Sequence, residues 1–564
     1  MNNKTFEIGL VGAGAISAGA YTGGVIDFLI QALDQWYDAK THDNQAPPHD
    51  VKLSVFSGAS AGAISAALAA GYLGSDQPSI TNEEEGSSNN GQNRLFDSWV
   101  DRIDIASLLE SRDLADEKSD VVSLLDSSVL PEIADSGLTV TPRKTRRPYV
   151  SENFELILTV TNLRGVPYAF ELLGDQPVSY DMSLHADYVH FRVNDTGVDQ
   201  LADRYTMSWQ DFGKPSLVKE KLKLSAIASG AFPLGLAPRS LNHVIVTGDQ
   251  NTDWYSSREW LIPTPHSVPH QCMTPKSIRA NWGELPPNYE YNFYCVDGGV
   301  MNNEPLELAR RILAGSAARN ERNGELADKA LLLIDPFPNN TSFDTEYKIA
   351  PDLFNVARSL FGALKNQARF KPDELVLAAD NDVYSRFMIA PSRDGQTYPI
   401  ACGSLGGFGG FLKREFRSHD YFLGRRNTQK FLQDHFVLPE NNPLFSDWNM
   451  DLKEVYCVRD TNGQPKLKDG QLLLPIIPLM GNAKAPCYLA PWPEYTSDDL
   501  AQLIERIESR VDIVLDRLVD QYFKKNNLIV RFVTKLVLGR KKKDVVEFVE
   551  EKVTTDLTKM QLMR

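Results

Sequence analysis

The chain of 564 residues is 42% hydrophobic and 24% charged, which excludes a disordered or fibrous polymer and leaves material for a large core. Lys and Arg number 59 against 74 Asp and Glu, so most of the surface repels a nucleic-acid backbone and no nucleic-acid partner is expected. The five cysteines, Cys272, Cys295, Cys402, Cys457 and Cys487, have no CxxC spacing and predict neither a disulfide framework nor a structural zinc site.

The opening MNNKTFEIGL has no apolar stretch followed by a small-residue cleavage site, and no run reaches about 18 consecutive apolar residues. Neither a signal peptide nor an ordinary transmembrane helix is expected, and a cytoplasmic location follows as the default. The first 75 residues read as strand, glycine turn, helix, strand, sharp turn, helix, with strands at Phe6–Val11 and Val51–Phe56. Residues 76–94 lose the apolar period and collect Ser, Asn, Gly and three successive Glu, as an exposed insertion does.

Residues 152–165 form the next strand candidate, rich in β-branched and aromatic side chains. A helical pattern follows at 217–232, then short apolar runs at 241–248, 291–299 and 330–338, with a helix over Glu304–Leu313 between the last two. This rhythm predicts an α/β fold with a central, mostly parallel sheet. From about 345 to 496 the pattern is less regular, with a helical stretch near 351–368 and a glycine cluster, SLGGFGGFL, at 404–412; it reads as an accessory lobe. A long helix capped by Ser497, with Asp498 and Asp499 at its favourable end, opens a C-terminal helical region over 497–564.

The sharpest local feature is SVFSGASAGAISAALAAGYL, where Gly58, Ser60 and Gly62 form GxSxG between an apolar strand and an alanine-rich helix. Such a turn projects the Ser60 hydroxyl, while small neighbours let the backbone fold back and the helix N–H groups face developing negative charge. A serine nucleophile needs a base, and Asp297 stands in CVDGGVMNN at the end of a strand-like run, held by a glycine turn. The loop IGLVGAGAISAGAYTGGV at 8–25 offers backbone donors to an oxyanion. A dinucleotide fingerprint there would require Gly at position 17, where Ser17 stands.

These three blocks in this order resemble the patatin-like phospholipase family, supported by LSAIASGAFPLGLAP at 224–238. The resemblance implies a three-layer core from 1–75 and 215–344, with 76–214 as an insertion partly contributing core strands. It implies Ser60 as nucleophile, Asp297 as the activating carboxylate, Gly58 and Gly62 as the elbow glycines, and oxyanion donors on the backbone around Gly14, Ala15 and Ile16. The family's first block has successive glycines followed by Arg or Lys and then Gly, whereas this chain reads Gly14, Ala15, Ile16, Ser17, Ala18, Gly19. Ala and Ile carry the same N–H as glycine where their φ is negative.

The implied activity is carboxylic ester hydrolysis on lipids, of the phospholipase A or lysophospholipase kind, through an acyl-enzyme, with no metal or organic cofactor. A catalytically silent scaffold of this fold, a non-lipid esterase and an acyltransferase are the alternatives. A Ser, Asp, His triad is the nearest competing mechanism, with His419 or His435 as base. Residues 524–543 hold eight Lys or Arg and no acid. As a helix they would set Lys524, Arg531, Lys535 and Lys542 near one stripe beside Ile529, Phe532, Val533 and Leu536, a layout suited to peripheral contact with the inner, anionic face of a membrane or to packing on the protein itself.

Overall fold

The computed structural model describes residues 4–43, 45–116, 118–172, 178–199, 204–245, 254–261, 277–286, 288–315, 320–337, 356, 359, 363, 380, 382–523 and 528–563, and of 171, 172, 178, 260, 261, 277, 523 and 528–541 the backbone alone. Strands β1 (Thr5–Gly12) and β2 (Asp50–Gly58) are apolar runs with almost every residue buried, as strands covered on both faces must be. They pair in parallel, and each is followed by a helix, α1 (Gly19–His42) and α2 (Ala61–Leu73).

Downstream come α3 (Val129–Leu138), β3 (Val150–Leu172), β4 (Val178–Asn194), β5 (Tyr205–Ser208), α4 (Leu217–Ser229), β6 (Arg239–Ser240), β7 (Tyr294–Asp297), α5 (Leu306–Ala314), β8 (Lys329–Ile334) and β9 (Arg386–Ile389). One sheet runs β9-β8-β1-β2-β3-β7-β6, with β4 pairing β3 and β5 pairing β4. The five strands from β9 to β3 are parallel throughout. β7 runs antiparallel to β3, and β4 does likewise, so the sheet is mostly parallel with an antiparallel side.

Alternation along the strands sends side chains to two faces. Val11, Val55, Ile157, Leu331 and Leu333 meet Leu306, Ala309 and Leu313 of α5 on one side. Leu10, Phe56, Leu156, Leu158 and Leu332 join the larger core on the other, with α1, α2, α4 and α6 (Arg414–Asp434). The layering is helix, sheet, helix, the α/β fold expected. The stretch 345–496 contributes to this same body: β9 extends the sheet, and α6 lies directly against α1.

That helix contact is glycine-mediated. A Cβ on Gly24 would fall 1.9 Å from the Tyr421 carbonyl oxygen, and one on Gly424 would fall 2.2 Å from that of Tyr21, so the two backbones touch as only glycine permits. Helix α1 with its preceding turn, Ile16–His42, is long and apolar enough to cross a membrane, yet it is mostly buried inside the protein.

Several boundaries differ from expectation. The strand at 152–165 extends to Leu172, because residues 166–172 continue the ladder against β4 after an irregularity at Thr161/Val166. The run at 241–248 supplies only His243–Ile245, paired with Tyr289–Tyr291 in a separate small sheet; its last three residues, and all but three positions of the stretch 351–368, lie outside the described residues. The last helices are α7 (Ser497–Phe523) and α8 (Leu528–Lys559). The cap of α7 is Thr496 and not Ser497: Thr496 Oγ1 accepts the Asp499 N–H at 3.1 Å and the Asp499 carboxylate accepts the Thr496 N–H at 2.9 Å, a reciprocal box.

Candidate active site

The C-terminal ends of β1, β2 and β7 meet at one point of the sheet. The chain leaves β2 at Gly58 and enters α2 at Ala61, so Ser60 must reverse it, and its backbone sits at φ 52°, ψ -124°. An L residue held there stores about 1–3 kcal/mol of strain, which the surrounding contacts sustain. Three glycines make the reversal feasible. A Cβ on Gly62 would lie 2.1 Å from the Gly12 oxygen, and one on Gly58 would lie 2.4 Å from the Gly62 oxygen. Gly12 accepts the Ala59 N–H at 3.1 Å, and Ser229 Oγ at the end of α4 accepts the Ser60 N–H at 2.8 Å.

Ser60 Oγ donates to Asp297 Oδ2 at 2.6 Å. Asp297 closes β7, where its own N–H donates to Ala231 O at 2.9 Å and its carbonyl accepts from Thr161 Oγ1 at 2.8 Å. Its Oδ1 accepts the Gly299 N–H at 2.7 Å, which fixes the carboxylate plane and leaves Oδ2 for the serine. Gly298 is required by closeness: a Cβ there would lie 2.2 Å from Thr159 O. Both Ser60 and Asp297 are almost fully buried, at 4% and 5% exposure, so the pair faces the protein interior.

The glycine loop lies alongside. Gly14 N–H donates to Asn303 O at 3.1 Å, and a Cβ on Gly14 would come 3.2 Å from Ser60 Cβ. The N–H groups of Ala15 and Ile16 have no acceptor among the described residues. Ala15 has φ -145°, but Ile16 adopts φ 50°, so negative φ does not hold across the loop; a β-branched residue in the left-handed region is a strained outlier. Ser17 secures this conformation from behind. Its Oγ donates to Gly407 O at 2.5 Å and accepts the Gly410 N–H at 3.0 Å, which brings the glycine cluster of 404–412 against the loop.

From Ser60 an apolar cavity opens between α2, α3, α4 and the segment 98–108. Ile64 and Leu68 of α2, Ile133 of α3, Ile227 of α4, and Phe408 and Phe411 of the glycine cluster line it. Aliphatic and aromatic faces dominate the lining around this one hydroxyl, as in sites that bury apolar groups. Among the described residues no three His, Cys, Asp or Glu side chains converge as metal ligands.

Neither histidine candidate lines this cavity. His419 is buried on α6, its Nδ1 2.7 Å from Asp420 Oδ1 and its other nitrogen beside Arg393, with Trp492 against the ring. His435 follows α6 and stacks on Phe431. Ser17, Ser229 and Asn303 lie within the quoted sequence blocks, but their contacts are made across the fold and leave no local signature of a role. Of the basic stretch, 524–527 and the side chains of 528–541 lie outside what is described; Lys542 pairs with Asp512 of α7 at 2.6 Å.

An α/β sheet presenting a strained serine, with a carboxylate on its hydroxyl and an apolar cavity beside it, has the architecture of a hydrolase fold. The chain matches the model of the patatin-like phospholipases over residues 10–310 and belongs to that family. An uncharacterized protein, y4iI of Sinorhizobium fredii (strain NBRC 101917 / NGR234), is 38% identical over 559 residues, covering 92% of this chain and 77% of that protein. VipD from Legionella pneumophila is a solved structure matched over 98% of this chain and 86% of its own, at 13% identity and a TM-score of 0.22. Family membership supports a lipid-hydrolase-type activity on acyl esters.

Proposed function

We propose that this chain is a lipid acyl hydrolase, of phospholipase A or lysophospholipase type, working through a Ser60 and Asp297 dyad. The observation that carries the reading is the 2.6 Å hydrogen bond from Ser60 Oγ to Asp297 Oδ2 on the lining of an apolar cavity. In the forward step Ser60 Oγ attacks the ester carbonyl while its proton passes to Asp297 Oδ2. The carbonyl oxygen gathers negative charge and is received by backbone N–H groups of the loop Gly14, Ala15 and Ile16. Those of Ala15 and Ile16 are uncommitted, whereas that of Gly14 is held by Asn303.

Collapse of the tetrahedral adduct expels the leaving alkoxide, which takes the proton from Asp297, and leaves the acyl group on Ser60. A water then repeats the sequence in reverse, its proton going to Asp297 and the fatty acid departing. Gly58 and Gly62 serve by allowing the elbow, and the acyl chain lies in the cavity past Ile64 and Leu68. The core of 1–75 and 215–344, completed by strands from 76–214, would hold this machinery. The parts 345–496 and 497–564 would frame it, with peripheral membrane contact through 524–543 from the cytoplasmic side.

Hydrolysis of phospholipid vesicles and p-nitrophenyl esters by the purified protein and by Ser60→Ala tests the reading. Release of fatty acid that disappears in the variant is expected. Equal turnover by both proteins would overturn it.

A further inference from the structure

Leu234 sits at φ 65°, in the left-handed region that favours glycine, and it is 80% exposed to water. Backbone strain and an exposed leucine are two costs at one residue, and strain of this kind gathers where a protein meets a ligand. Hydrogen bonds pin the turn in place. Leu236 N–H donates to Phe232 O at 2.8 Å, and the chain at 124–125 runs beside 234–235, with Leu124 N–H on Leu234 O at 2.8 Å and Leu125 N–H on Gly235 O at 3.0 Å. The buried Arg510 of α7 then donates to Leu124 O at 3.0 Å and holds both oxygens of Asp113, at 2.6 and 2.8 Å.

These paired segments have two sides. Leu125 and Leu236 line the cavity that holds Ser60 and Asp297, whereas Leu124, at 54% exposure, and Leu234 face water. Val122, at 58%, extends the outer side, and the N–H of Val121 donates at 3.0 Å to Gln521 of α7, next to the exposed Tyr522. Large apolar side chains exposed together, rather than singly, mark an interaction surface.

Two features single out a lipid partner. The patch is the outer side of a wall whose inner side is the apolar cavity, so a hydrocarbon phase met by one adjoins the other. The block 524–543, with eight Lys or Arg and no acid, begins two residues after Tyr522 and complements anionic head groups. Exposed Asp116, Lys118 and Asp120 precede Val122, so the patch's own attraction is apolar and not ionic.

We propose that Val122, Leu124 and Leu234 dip into the surface of an anionic phospholipid aggregate, with Tyr522 at their edge, and seat this cavity wall against the lipid. The proposal rests on the lipid-hydrolase reading, to which it adds the docking surface.

Partition onto vesicles of phosphatidylglycerol and phosphatidylcholine, read by sedimentation, tests it in about 0.1 M and about 1 M salt, the latter screening charges beyond about 3 Å. The wild type is expected to bind, and Leu124→Ser with Leu234→Gly to bind at least about tenfold more weakly at both salt concentrations, since the lost contact is apolar. Glycine keeps the turn of Leu234 without strain, so turnover of p-nitrophenyl butyrate stays within about twofold. Val122→Ser with Leu124→Ser, which leaves that turn untouched, is expected to repeat the loss of binding. No binding by the wild type, or equal binding by both variants, overturns the proposal. So does a wild-type dimer that the same changes split with no vesicle binding, which assigns the patch to a second copy of the chain. Binding unchanged in the variants while butyrate is turned over leaves the hydrolase reading standing. Patch-dependent binding by a protein that hydrolyses no ester upholds the docking surface and sinks that reading.

Discussion

Gly12 at the end of β1 and Gly62 in the first turn of α2 are in backbone contact: a Cβ on Gly62 would lie 2.1 Å from the Gly12 oxygen. The glycine loop and the Ser60 turn are therefore one unit, since neither can move without the other. Gly62→Ala places a carbon against backbone that has no rotamer with which to yield. We expect a loss of about 1–3 kcal/mol in stability, and a fall of at least tenfold in ester turnover in whatever fraction remains folded. Thermal unfolding and titration of active serine on the same sample separate the two effects.

Asp27 of α1 binds four partners at once. Its carboxylate accepts from Tyr72 of α2 at 2.9 Å, from Asn93 at 3.0 Å and from Ile80 N at 3.3 Å, and it pairs with the buried guanidinium of Arg425 on α6. Arg425→Met leaves a buried carboxylate without its counter-charge, and we expect a loss of about 3–5 kcal/mol measured by denaturant unfolding. The double variant Asp27→Asn with Arg425→Met is expected to recover part of that loss, because the uncompensated charge is gone.

His49 makes stability depend on pH. Trp448 Nε1 donates to its Nδ1 at 3.2 Å, its Nε2 lies 2.9 Å from Ile476 O, and burial holds its pKa down at about 4. Protonation would set an N–H against the tryptophan N–H. The unfolded chain takes up this proton near the ordinary value of about 6.5. Stability is therefore full above that pH and declines as pH falls toward 4, by about 3 kcal/mol from this residue. Unfolding curves across this window should show the slope in the wild type and a shallower one in His49→Gln.

Ser17 tests whether the glycine cluster of 404–412 acts on the loop or merely covers it. Removing its hydroxyl leaves Gly407 O and the Gly410 N–H without their link to the loop. Ser17→Ala is expected to lower kcat by about tenfold with KM little changed, as loss of an arrangement needed only in the transition state does. A change in KM alone would assign the cluster to substrate binding.

The sheet and its helices were legible in the sequence because buried parallel strands leave continuous apolar runs, as in Phe6–Val11 and Val51–Phe56. The serine turn was legible for a different reason: Gly58, Ser60 and Gly62 are local, and the strain they accommodate leaves a local signature. What escaped is held by distant contacts. The hydroxyl of Ser17 meets a cluster almost 400 residues away, and α6 meets α1 through Gly24 and Gly424, which no periodicity relates. The cap of α7 fell one residue early, since Thr496 and Ser497 are both good caps and only the position of Asp499 at the third helical residue decides between them.

The proposed hydrolysis requires Ser60 to be a nucleophile activated by Asp297. A fluorophosphonate reacted with the purified protein and followed by peptide mass spectrometry tests this directly. One adduct on Ser60 is expected, absent in Ser60→Ala and formed at least a hundredfold more slowly in Asp297→Asn, where the amide can no longer accept the serine proton. An unlabelled Ser60, or labelling at the same rate in Asp297→Asn, would contradict it.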